Sequence, residues 1–180
     1  MKNVAPEKLL GKVRVLRLSL TAVLLLIAGG AVAQIGYLIA DTQGYGRFLG
    51  NATGYPDQEL RTWQIIALAL TALGQTALWA GIAWQSRAVF GALEQGAVER
   101  AAQSASGVSK TLWATLVYSL IASTLAVLIV TWHFPEGQRA FAVSLGSAHV
   151  TTILAALIAS FLSQALVLGA ALWRDHQEVI

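Results

Sequence analysis

Four long apolar runs divide the chain, and almost all of its charge lies between them. They cover residues 18–40, 63–84, 111–132 and 148–173, and none of them contains Asp, Glu, Lys or Arg. Each holds at least about 20 residues, the length that crosses about 30 Å of hydrocarbon at 1.5 Å per residue. A lipid solvent offers the backbone no hydrogen bonds, so each run is expected to be a helix. The first run has a rival reading. A basic leader (Lys2, Lys8, Lys12, Arg14, Arg17) precedes it, and Ala31-Val32-Ala33 has the form of a signal-peptidase site. The apolar run continues past that site to Ala40, which favours a retained helix.

The segments between the runs differ in kind. Residues 41–62 carry Gly44, Gly46, Gly50, Gly54 and Pro56, a pattern that predicts a turn-rich loop without a helix. Asn51-Ala52-Thr53 fits a glycosylation tripeptide, a short pattern common by chance. In 85–110, Val89, Phe90, Leu93 and Ala97 recur at helical spacing. The second helix should therefore run on to about Gln95, break near Gly96 and be followed by another helical stretch before Lys110. Residues 133–147 form a short connection.

Composition agrees with the pattern. The chain of 180 residues is 56% hydrophobic and 12% charged, whereas a soluble domain is about a quarter charged. The mean hydropathy is +0.63. Cysteine is absent, which excludes disulfides, thiolate metal sites and a Cys nucleophile. The net charge of +3 is topological. Of the twelve Lys and Arg, nine fall in the N-terminal flank, the middle loop and the C-terminal tail, and three (Arg47, Arg61, Arg139) in the other two loops. The positive-inside rule then puts both termini and the loop 85–110 in the cytoplasm, and the loops 41–62 and 133–147 outside. Tryptophans mark the same edges. Trp63 and Trp132 belong at the outer interface, and Trp84, Trp113 and Trp173 at the inner one. The expected fold is all-α, a polytopic four-transmembrane-helix bundle forming one membrane domain over 1–180.

Candidate chemistry is sparse. Gln34, Gln75 and Gln164 each sit inside a different run, and Gln75 and Gln164 fall near mid-span, where they are expected to be within reach of each other. Such amides hold helices together. Small residues at fourfold spacing point the same way: Gly29 and Ala33, Ala77 and Gly81, Thr111 to Ser123, and Ala155, Ala159 and Ser163 beside Ala156 and Ser160. His133 and His149 flank the outer loop 133–147 and form the one candidate pair for haem or a pigment. No run contains an ionisable relay or an interrupting proline, and no phosphate-loop, hydrolase or zinc-protease motif occurs.

The stretch Phe90-Gly-Ala-Leu-Glu-Gln-Gly96, the polar Ala-rich segment after it, and the ending Gly169-Ala-Ala-Leu-Trp-Arg-Asp-His-Gln-Glu-Val-Ile180 resemble the DUF2975 family. That resemblance implies a small bacterial protein with four spans in the cytoplasmic (inner) membrane, and no assigned activity. The expected role is a non-catalytic accessory subunit without a cofactor. It would pack against lipids and other subunits of a larger complex of the respiratory or photosynthetic kind, with no nucleic-acid partner. The alternatives are a haem or pigment protein using His133 and His149, and a small transporter or sensor built on the three glutamines.

Overall fold

The computed structural model describes residues 5–55, 59–135 and 145–178, with side chains described for residues 11–169 of those ranges and for Ala171. The described residues form five helices: α1 (Ala5–Ala40), α2 (Thr42–Thr53), α3 (Thr62–Glu94), α4 (Val98–Thr131) and α5 (Ser147–Glu178). Four of them, α1, α3, α4 and α5, are long and apolar enough to cross a membrane. Their outward faces are apolar, with Leu25, Leu26, Phe161 and Leu168 well exposed. Such faces suit a hydrocarbon solvent, and the chain is a multi-pass membrane protein.

Each spanning helix packs antiparallel on the next one in the chain. Arg17 of α1 meets Glu94 of α3, and Thr21 meets Arg87. Gln64, Thr71 and Gln85 of α3 meet Ile129, Tyr118 and Thr111 of α4. Ser109 of α4 meets Ser160 of α5. Among the described residues α1 packs on α3 and α2 but on neither α4 nor α5, and α5 packs on α4 alone. The spans therefore form an open row in the order α1, α3, α4, α5.

The connection between α3 and α4 follows its sequence signal. Gly96 adopts φ +69°, the left-handed conformation that Gly enters without a Cβ penalty. The N–H of Gly96 bonds to the Leu93 carbonyl and that of Ala97 to the Ala92 carbonyl, the paired closing bonds of a Schellman motif. Both helices extend beyond the apolar runs by several turns. Ala92, Ala101, Ala102 and Ala105 are buried there, so small side chains bring the two backbones close.

The segment 41–62 overturns the expectation of a helix-free loop. Residues Thr42–Thr53 form α2. Asp41 starts it by accepting the Gly44 N–H on its carboxylate at 2.8 Å. Gly54, at φ +84°, ends it, with Gly54 N–H on the Asn51 carbonyl and Tyr55 N–H on the Gly50 carbonyl. The glycines inside the helix serve packing. A Cβ on Gly46 would stand 2.6 Å from Cδ1 of Ile65 on α3. The buried face of α2 carries Tyr45 and Leu49, which join Leu60, Ile65, Leu68, Ala69 and Val130 in the main buried apolar cluster. This cluster lies at the end of the row opposite the α3–α4 turn. Burial pushes the Tyr45 phenol above its ordinary pKa of 10.0.

Candidate functional site

Polar side chains inside and beside the spans do two things: most of them join helices, and a few face grooves that open sideways. Gln64, in the first turn of α3, does the most joining. It is fully buried, its oxygen accepts the Arg61 N–H at 2.8 Å, and its amide donates to the Ile129 carbonyl. That carbonyl lies in the last turn of α4, where carbonyls lack an i+4 partner. Farther along the same interface, the Tyr118 hydroxyl donates to the Thr71 carbonyl at 2.9 Å and lies directly over Gly74. Gln85 donates to Thr111 Oγ1 at 2.9 Å. Sequence reasoning missed Gln64, Gln85 and the Gly74–Tyr118 contact. Their signals were a glutamine three residues after a helix start and a glycine within an apolar run.

The interface of α4 and α5 is a serine cluster. Ser160 donates its proton to the Ala156 carbonyl at 2.7 Å. Its oxygen therefore accepts from Ser109 at 2.6 Å and from the Trp113 indole at 3.5 Å. Ser163 is buried beside it, Ala156 is fully buried, and Ala155 and Ala159 are half-buried, so this stripe packs within the chain. Gly81 packs within the chain as well, against the Thr111 methyl group.

Other expected packing residues point elsewhere. Gly29 and Ala33 are exposed, and a Cβ on Gly29 would meet open space, so the α1 stripe faces away from α3. Gln75 and Gln164 do not meet, contrary to expectation. They belong to α3 and α5, which α4 separates, and they line different grooves. Gln34 is half-buried on α1, and its Oε1 is enclosed without a hydrogen-bond partner among the described residues. Trp63, Trp84, Trp113 and Trp132 are all exposed at helix surfaces. The Trp173 side chain lies outside the described residues, as do Glu136 and Arg139.

Two of the grooves combine apolar walls with polar groups. One, of about 410 Å³, is bounded by α2, α3, α4 and α5 near the α2 end. It brings Gln75 and Trp79 of α3 together with His149 and Thr152 of α5. The Gln75 amide has no hydrogen-bond partner among the described residues, while Thr152 bonds back to its own helix at 2.8 Å. His149 accepts the Gly146 N–H on Nδ1 at 3.1 Å, so in the neutral ring the proton sits on Nε2. His133 is not part of this groove. Its Nδ1 lies 3.4 Å from the Gln64 amide and its ring is edge-on to Phe134. No group of three His, Asp or Glu side chains able to hold a metal occurs among the described residues.

The second groove, of about 650 Å³, lies between α1 and α3. Leucines and alanines form its walls, and Trp84 and Arg87 close it at the end nearest the N-terminal half of α1.

The chain matches no protein-family model, no curated protein and no solved structure.

Proposed function

We propose that this protein is a non-catalytic accessory subunit that packs against a larger membrane assembly. One observation carries the reading: the row is open, and among the described residues each terminal span touches a single neighbouring span. On α1 the exposed face includes Gly29, Gly30, Ala33 and Gly36, and a Cβ on any of these three glycines would meet empty space. Small exposed residues let a second helix approach closely. The resemblance to the DUF2975 proteins supports an integral membrane role without an assigned activity. The distribution of Lys and Arg supports placing both termini on the cytoplasmic side of a bacterial inner membrane. The test is purification at native expression level in mild detergent. The expected result is elution within an assembly whose other subunits are identified by mass spectrometry, and elution as a lone monomer overturns the reading.

The groove beside α5 favours a second reading, a sensor or carrier of a small amphipathic ligand. The unpartnered Gln75 amide beside His149 and Trp79 supports it, since apolar walls with a few convergent polar groups are what a ligand site needs. A ligand screen by thermal shift tests it. The supporting result is a stabilisation that disappears in Gln75→Leu. Haem or a pigment held jointly by His133 and His149 has less support, because His133 is engaged with Gln64 and Phe134 outside the groove that His149 lines. An absorption spectrum of the purified protein decides that question.

A further inference from the structure

We propose that the groove between α1 and α3 binds an anionic phospholipid, with one acyl chain along its apolar walls and the phosphate on Arg87. The groove walls are made by Leu24, Ala28 and Ala31 of α1 and Leu73, Ala77 and Ala80 of α3. Alanines in place of larger side chains leave the space open, and the groove faces sideways, so a lipid reaches it without leaving the bilayer. Its shape and walls suit a hydrocarbon chain.

Arg87 supplies what an apolar groove alone lacks, a reason for one class of headgroup. Its Nε donates to Thr21 Oγ1 at 3.0 Å, and its guanidinium carbon lies 5.7 Å from the centre of the Trp84 ring. These contacts fix the side chain and leave both terminal nitrogens without a partner among the described residues. The nearby carboxylate, Glu94, is already paired with Arg17 at 2.8 Å. Arg87 is therefore a half-buried, oriented cation with no counter-ion among the described residues. A guanidinium held in this way presents two parallel N–H donors, the fork that matches a phosphate.

Depth agrees with a headgroup. Arg87 lies about 36 Å along α3 from Trp63 at 1.5 Å per residue, against a hydrocarbon thickness of about 30 Å. Trp84, one turn before it, sits where interfacial tryptophans sit. A net anionic lipid fits better than a zwitterionic one, because a zwitterionic headgroup brings a cation of its own to a site already carrying an unpaired positive charge. The proposal does not depend on a partner subunit.

The test uses the full chain in nonionic detergent, with thermal unfolding and native mass spectrometry in the presence of phosphatidylglycerol or phosphatidylcholine at equal mole fraction. Phosphatidylglycerol is expected to raise the unfolding temperature by several degrees and to remain bound. Phosphatidylcholine and millimolar inorganic phosphate are expected to do neither. Arg87→Gln removes the phosphate contact and Ala28→Phe fills the groove, so each should abolish the shift. Arg100→Gln, an exposed charge on α4, should keep it. A wild-type shift in Arg87→Gln or in Ala28→Phe, equal shifts with the two lipids, or the same shift with phosphate alone overturns the proposal. If Arg87→Gln does not fold, Ala28→Phe, which leaves the guanidinium untouched, decides the question.

Discussion

Gln64 and Ile129 are joined by a side-chain amide donating to a backbone carbonyl, and this bond ties the first turn of α3 to the last turn of α4. The same glutamine accepts the Arg61 N–H, so one buried residue satisfies a group at each of two helix ends. Gln64→Leu keeps the bulk and removes both bonds. A typical intramolecular hydrogen bond contributes about 0.5–1.5 kcal/mol, and the Ile129 carbonyl keeps the Trp132 N–H at 3.4 Å. The variant is expected to unfold at lower temperature in detergent. An unchanged transition would mean that neither bond contributes to stability.

Gly74 and Tyr118 form a second joint. Gly74→Ala places a methyl group where the Tyr118 phenol now lies and should push its hydroxyl off the Thr71 carbonyl. Overpacking of this kind costs about 1–3 kcal/mol. The informative measurement is a double-mutant cycle with Tyr118→Phe. The two substitutions should be non-additive, because each removes the same hydrogen bond. Simple additivity would separate the steric contact from the bond.

Asp41 caps α2, and its replacement by Ala should cost about 0.5–2 kcal/mol of local stability. Arg47 is exposed on α2 and is a ready trypsin site. In Asp41→Ala, cleavage after Arg47 should accelerate, while the cleavage rate after Arg100, on the far side of the α3–α4 turn, stays the same. Equal cleavage of wild type and variant at Arg47 would show that the cap does not limit opening of α2.

The Arg17–Glu94 pair links the N-terminal half of α1 to the end of α3 at 2.8 Å, with the side chains 38% and 29% exposed. Pairs this accessible are worth about 0–1 kcal/mol and weaken with salt. Glu94→Gln should lower the unfolding temperature slightly at low ionic strength and hardly at all in molar salt. A large loss that salt does not change would point to a packing role for the glutamate instead.

The spans and the α3–α4 turn were readable because lipid imposes long uniform runs and because Gly96 at the end of a periodic segment is a strong stop. Helix α2 was not, since Gly44, Gly46 and Gly50 carry the composition of a turn. Their role emerges only when the facing groups are seen, Asp41 and Tyr37 against Gly44, Ile65 against Gly46 and the Tyr55 carbonyl against Gly50, where close approach favours glycine within a helix. The glutamines show a related limit. Gln75 and Gln164 were both expected near mid-span, but Gln75 lies level with Ser119 and Thr152 and Gln164 level with Ser106 and Ser109, and α4 stands between their helices. The single-neighbour ends of the row were likewise invisible, because periodicity tells which residues are apolar and not which apolar face finds a partner.

The row also bears on how the protein comes to be made. Among the described residues every contact between spans joins one to its predecessor in the chain, α3 to α1, α4 to α3 and α5 to α4. A span emerging from the ribosome thus finds its docking surface already in the bilayer, and none has to wait for a later one. Biogenesis can therefore proceed as the ordered addition of helices to a growing edge.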